Sequence, residues 1–144
     1  MNAAGVLLDT GPLVARLSRN DRAHQRAVDL FAACEPPLRT CEAVVAEACF
    51  LMRKVHADGP TEVLALGRRG VYEIAFSLDD HWKEVEALLT KHATAGISLA
   101  DACLIRCAEL YEDPRILTFD SAFSVYRWAR HKGLHVLYAG LSRC

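Results

Sequence analysis

The chain has 144 residues, of which 52% are hydrophobic, and this length suits one domain spanning residues 1–144. It contains no run of 18 or more apolar residues, which excludes a conventional membrane-spanning helix. Its net charge of −1 excludes a broadly basic nucleic-acid-binding protein. The sequence opens without a basic leader and reaches Asp9 too early for a signal peptide, so we expect a cytoplasmic protein.

Strands and helices alternate along the predicted secondary structure. Short apolar or alternating runs predict strands at residues 5–8, 37–40, 71–76, 115–119 and 135–139. Helical periodicity and its stop signals predict helices at residues 12–18, 22–34, 41–56, 61–69, 77–93, 98–111 and 120–133. This alternation predicts a three-layer α/β/α fold with a mainly parallel sheet of about five strands.

Basic residues are unevenly distributed. Residues 121–144 contain four Lys or Arg, including Arg127 and Arg130, and no Asp or Glu. A second basic cluster follows Asp9 and includes Arg16, Arg19 and Arg22. Each cluster is either an ordinary solvated helix face or a contact surface for an acidic ligand.

The six cysteines include no C-x-x-C pair, and most lie in apolar helical stretches. This spacing indicates small core residues rather than a disulfide framework or a metal site.

Four carboxylates occupy distinctive positions. Asp9 ends the first predicted strand and Asp120 follows the fourth. Glu47 shares a helical face with apolar residues of the third predicted helix, and Asp101 does so on the sixth. Ligands of open α/β sheets bind outside the carboxyl ends of the strands, where Asp9 and Asp120 are expected.

Each acid also has a purely structural explanation. Asp9 and Asp120 are possible helix caps, and Ser98 and Asp101 have the spacing of a capping box. Glu47 is able to reach solvent from the edge of its helix. Four acids converging on one end of a sheet, however, would repel one another unless a cation neutralised them. Mg²⁺ and Mn²⁺ take oxygen ligands and support displacement at phosphorus.

Four segments resemble the acidic motifs of PIN-domain ribonucleases. In chain order they are "LLDTGPLVA", "TCEAVVAEACFLM", "SLADACLIRCA" and "ILTFDSAF". The likeness covers nearly the whole chain and is strongest to the VapC-type toxins of toxin–antitoxin pairs. It implies a single PIN-like nuclease domain over residues 1–144 and Mg²⁺- or Mn²⁺-dependent cleavage of RNA. It also implies a homodimer and a cognate antitoxin protein, with no membrane association.

The resemblance assigns the catalytic and metal-binding roles to Asp9, Glu47, Asp101 and Asp120. Thr118 matches a hydroxyl position that accompanies the fourth acid, and Thr10 follows the first. The arginines Arg16, Arg19, Arg22, Arg127 and Arg130 are the candidate RNA-binding residues.

The chain departs from the family pattern at two positions. Many relatives have a further acid where this chain has Ala122, and a serine where it has Gly11. These departures affect the binding of a second metal ion more than the binding of one ion by the four acids. Glu42 is the second choice to Glu47, because five residues separate them and turn the two side chains to different helix faces. The alternative function is a catalytically inactive module of the same fold that binds RNA or a protein partner.

Overall fold

The computed structural model describes residues 5–111 and 114–120, together with the backbone of three short strand segments beyond residue 126. The strands are β1 (Val6–Leu8), β2 (Leu38–Thr40), β3 (Tyr72–Ile74), β4 (Arg115–Leu117), β5 (Arg127–Trp128), β6 (Lys132–Gly133) and β7 (His135–Leu137). Five of them form one parallel sheet in the order β3-β2-β1-β4-β7. The short strands β5 and β6 form a separate antiparallel pair.

Six α-helices are described, and they cover both faces of the sheet. They are α1 (Thr10–Leu17), α2 (His24–Ala33), α3 (Glu42–Val55), α4 (Gly59–Arg68), α5 (Trp82–Lys91) and α6 (Leu99–Ala108). The chain moves outward from β1 to β3 and then crosses back to β4. Because crossovers are right-handed, α1–α4 cover one face and α5 and α6 the other. Contacts among α1–α4, and between α5 and α6, agree with this arrangement, which confirms the predicted fold class.

The core is apolar on both sides of the sheet, as expected for parallel strands. Four side chains of the central strands β1 and β4 are at most 1% exposed, namely Leu7, Leu8, Ile116 and Leu117. The helices add fully buried residues that pack against them, including Leu13, Met52, Leu104 and Ile105. None of the helices in the described part of the chain has the length and apolar character needed to cross a bilayer.

The predicted helix over residues 77–93 is interrupted. A short 3-10 turn, Leu78–Asp80, precedes α5. Between them His81 stacks on Phe76 with ring centroids 5.0 Å apart, and its Nδ1 accepts a hydrogen bond from Arg106. These tertiary contacts hold His81 out of the helical geometry that its local sequence favours.

The predicted helix over residues 120–133 is wrong where the structure describes it. Residues 127–128 and 132–133 are antiparallel strands, and residues 121–126 and 129–131 lie outside the described part. The segment "SVYRW" is rich in β-forming residue types (Val, Tyr and Trp), which favours extended backbone.

The expectation of unpaired cysteines holds for four of the residues that the structure describes, Cys41, Cys49, Cys103 and Cys107. Cys34, by contrast, is disulfide-bonded. Spacing along the sequence carries no information about such pairs, because folding brings distant cysteines together.

Gly59, the first residue of α4, provides a test of how α3 and α4 pack. A Cβ added there would overlap the backbone carbonyl group of Met52. We expect Gly59→Ala to destabilise the fold by about 2–3 kcal/mol, since backbone must shift to relieve the overlap. Urea denaturation gives this value. Gly11→Ala is the matched control, because its added Cβ meets Phe119 at 3.7 Å, an ordinary contact. Equal stability of the two variants would contradict this packing.

Candidate active site

The site lies where the strand order reverses between β1 and β4. At such a switch point the connections leave in opposite directions and open a crevice at the carboxyl ends of the strands. Leu8 is in register with Leu117, and the Asp9 N–H donates to the Leu117 carbonyl at 3.0 Å. Pairing thus continues past β1 and sets Asp9 at the floor of the crevice.

Asp9 is a buried carboxylate, 7% exposed. Its Oδ1 accepts a hydrogen bond from the Thr10 N–H at 2.8 Å, and its Oδ2 accepts one from Thr118 Oγ1 at 2.6 Å. Burial, together with the negative charges of Asp101 and Asp120, raises the pKa of Asp9 to about 6 despite these two bonds. The hydrogen bond from the Thr10 N–H confirms that Asp9 caps α1. The burial of Asp9 beside other acids is a separate feature that capping does not require.

Thr118 connects two of the acids. It is fully buried, and its Oγ1 both donates to Asp9 and accepts the backbone N–H of Asp120 at 3.0 Å. One hydroxyl therefore fixes the Asp9 carboxylate and the backbone that carries Asp120, whose side chain is exposed.

Glu47 reaches the site from α3. Thr10 Oγ1 donates to Glu47 Oε2 at 2.9 Å. The buried face of α3 is formed by Val44, Ala48 and Met52, whereas Glu47 is exposed. Helical spacing predicted that Glu47 shares an apolar face with Val44 and Leu51. Val44 is buried but Leu51 is 39% exposed, so Glu47 lies at the exposed margin of that face and not within it.

Asp101 is half-buried at the start of α6. The predicted capping box is present: the Asp101 N–H donates to Ser98 Oγ at 3.0 Å, and the Ser98 N–H donates to Asp101 Oδ2 at 3.4 Å. Helix α3 begins directly after β2, and α6 runs back towards β4, so their N-termini lie at the same end of the sheet. The two helices contact each other there.

All four acids line one cavity of about 680 Å³. Its lining residues are Asp9, Thr10, Gly11, Glu47, Leu51, Gly96, Ser98, Asp101, Phe119 and Asp120. The sequence did not identify Leu51, Gly96 or Phe119 as site residues. Gly96 has a left-handed φ of 72°, which turns the chain towards α6, and a glycine two residues before a cap was the available signal.

The donor set of the cavity suits a hard divalent cation. Its lining offers carboxylate and hydroxyl oxygens and contains neither His nor Cys. Within the described ranges, no three Asp, Glu, His or Cys side chains converge closely enough to form a metal cage. Mg²⁺ retains several water ligands and binds through one or two direct carboxylates, so the arrangement fits such an ion without a closed cage.

The other predicted site residues lie elsewhere. Glu42 is exposed and lines a different cavity, which favours Glu47 as the acid of α3. Arg16 lies in the last turn of α1, and Arg19 and Arg22 are exposed in the connection to α2; none of them lines the acidic cavity. The Arg127 backbone belongs to β5, while its side chain and Arg130 are outside the described residues.

Fold and cavity together define an α/β protein with an acidic site at the switch point of its sheet. Residues 6–129 match the family model of the PIN domain, and the chain belongs to this family. PIN domains are generally metal-dependent nucleases, and PIN nucleases bind RNA. No curated protein matches the chain.

The raised pKa of Asp9 predicts a pH-dependent stability of the metal-free protein. Between the ordinary value of 3.8 and about 6, folded Asp9 retains a proton that the unfolded chain has lost. Stability therefore falls as the pH rises through this window, by about 2–3 kcal/mol. Urea denaturation in EDTA between pH 4 and pH 7 measures the change.

Asp9→Asn removes the titrating group, so its stability advantage over the wild type is expected to grow from pH 4 to pH 7. Asp21→Asn is the matched control, because Asp21 is exposed and also accepts a backbone N–H, that of Ala23. Parallel pH profiles for Asp9→Asn and the wild type would contradict the burial of an ionisable Asp9.

Proposed function

We propose that the protein is a Mg²⁺- or Mn²⁺-dependent endoribonuclease, formed by one nuclease domain over residues 1–144. The catalytic and metal-binding acids in this proposal are Asp9, Glu47, Asp101 and Asp120. The observation that carries it is that four acids from distant parts of the sequence line one cavity at the switch point. The general activity of PIN domains supports the same conclusion.

The chain's own residues hold the acids in place before substrate arrives. Thr118 fixes Asp9, and Thr10 fixes Glu47. Such preorganisation matters because electrostatic catalysis depends on groups that do not reorient during the reaction. The RNA backbone would enter the open side of the cavity, where Glu47 and Asp120 are exposed.

Asp9, Asp101 and Asp120 are the residues that would hold the cation, with Glu47 beside them. The charges of Asp101 and Asp120 already act on buried Asp9, and a divalent cation relieves this repulsion. When bound, the ion supplies charge neutralisation at the phosphate and activation of water.

The finer assignments rest on the motif resemblance. We propose that the protein is the VapC-type toxin of a toxin–antitoxin pair, that it acts as a homodimer, and that a cognate antitoxin protein binds it. The cytoplasm is the compartment that this function requires.

The proposal predicts that Asp101→Asn abolishes cleavage without unfolding the protein. The Oδ1 of an asparagine is able to accept the Ser98 N–H as the Asp101 carboxylate does, so the capping box persists and stability should change little. Removing a preorganised charge should lower the cleavage rate by about 100- to 1000-fold. The assay incubates single-stranded and structured RNAs with purified protein in Mn²⁺, in Mg²⁺ and in EDTA, and EDTA should stop the reaction.

Ser98→Ala is the matched control, because it removes the other half of the capping box and leaves the carboxylate. It should lose about 1 kcal/mol of stability and retain most of the activity. Full activity of Asp101→Asn would leave Asp101 with its capping role alone. A wild type that binds RNA but cleaves none under any metal condition would favour the inactive-module alternative.

The exposed arginines in the connection between α1 and α2 are expected to hold RNA. Replacing Arg19 and Arg22 with Gln should weaken binding and flatten the log–log dependence of affinity on salt by roughly 0.7 per lost phosphate contact. Arg69→Gln, at the exposed end of α4, is the control. An unchanged slope for the double variant would exclude Arg19 and Arg22 from the RNA path.

A further inference from the structure

A second cavity adjoins the acidic one on the exposed side of α3. Its volume is about 450 Å³, and its lining residues are Ala46, Glu47, Phe50 and Leu51. Glu47 and Leu51 also line the acidic cavity, so the two cavities are adjacent. A ligand that extends from the acidic cavity over Glu47 and Leu51 therefore reaches the second cavity.

Phe50 is the most exposed of the large hydrophobic residues in the described part of the chain, at 64%. It follows Glu47 by three residues and precedes Lys54 by four, which places the three side chains along one side of α3. The Lys54 Nζ lies 4.5 Å from the centroid of the Phe50 ring. Lys54 forms no ion pair with any described residue.

This combination suits one nucleotide of a single-stranded RNA. An exposed aromatic ring offers a face for base stacking, and an ammonium group that forms no ion pair within the described part of the chain offers a contact for phosphate. The acidic cavity alone offers no cationic contact for phosphate, because its lining contains no Lys or Arg. A strand whose scissile phosphate lies among the carboxylates would bring a neighbouring base over α3.

We propose that Phe50 stacks on the base next to the scissile phosphate, and that Lys54 contacts the backbone phosphate of that nucleotide. This inference rests on the proposed nuclease function and names the binding position of its substrate. Because every base has a stacking face, the contact favours unpaired RNA without selecting a particular base.

Binding in EDTA tests the proposal without cleavage. The probes are a labelled oligouridylate and an abasic oligonucleotide of the same length and charge, followed by fluorescence anisotropy. Phe50→Ala should weaken oligouridylate binding by about 10- to 100-fold and leave abasic binding unchanged, since only the first probe has bases to stack. Phe50→Trp should retain the wild-type affinity.

Two further variants separate the contributions. Lys54→Gln should weaken binding of both probes and lower the salt slope by about 0.7, the value expected for one phosphate contact. Leu64→Ala is the control, because Leu64 is 58% exposed on α4 and lines a different cavity, to which none of the four site acids contributes. It should bind both probes as the wild type does.

Three outcomes would each contradict a different part of the proposals. Equal oligouridylate affinities for Phe50→Ala and the wild type would overturn the stacking contact and leave a protein partner as the occupant of this face. If sedimentation showed that Phe50→Ala converts a dimer into a monomer with unchanged affinity per site, a second copy would be that occupant. Base-dependent binding without cleavage in Mn²⁺ would refute the nuclease function and leave the stacking contact standing.

Discussion

The hydrogen bond between Thr118 and Asp9 joins the two strands on which the site depends. It forms one residue beyond the paired backbone of β1 and β4, where the strand order reverses. The same hydroxyl accepts the Asp120 N–H, so the geometry of two acids follows from one fully buried threonine. A valine of similar shape would fill the space and leave the Asp9 carboxylate without this donor, which is costly for a buried charge.

Holding these acids together works against stability. Burial disfavours the ionised form of Asp9, and the charges of Asp101 and Asp120 disfavour it further. The surrounding core compensates, because the strands that carry the acids are almost completely buried. The unfavourable burial and repulsion of negative charge are thus concentrated at the end of the sheet, where a bound cation would neutralise them.

Local patterns in the sequence predicted the parts of the fold that depend on local interactions. The buried run before Asp9 became β1, and the spacing of Ser98 and Asp101 became a capping box. The interruption at His81 was not predictable, because it depends on Phe76 and on Arg106, which is distant in sequence.

The sequence predicted which acids line the site better than it predicted how exposed each of them is. All four acids line the cavity, yet the exposure of Glu47 depends on which side of α3 packs against its neighbours. Periodicity marked Leu51 as a core position, whereas the structure exposes 39% of it beside the acidic cavity. The apolar face of α3 is wider than the surface that packs against it, so residues at its edge stay exposed to solvent. The sequence alone does not show which residues form that edge.

The double use of Asp101, as a helix cap and as a lining residue of the acidic cavity, has a consequence for how such a protein changes over generations. A single nucleotide change converts either aspartate codon into an asparagine codon, and the asparagine Oδ1 is able to accept the same Ser98 N–H in the capping box. If the nuclease acts through Asp101, one point mutation would thus convert it into a folded but catalytically inactive protein. Selection on folding alone would not remove that form, so descendants retained only for binding could arise without an unstable intermediate.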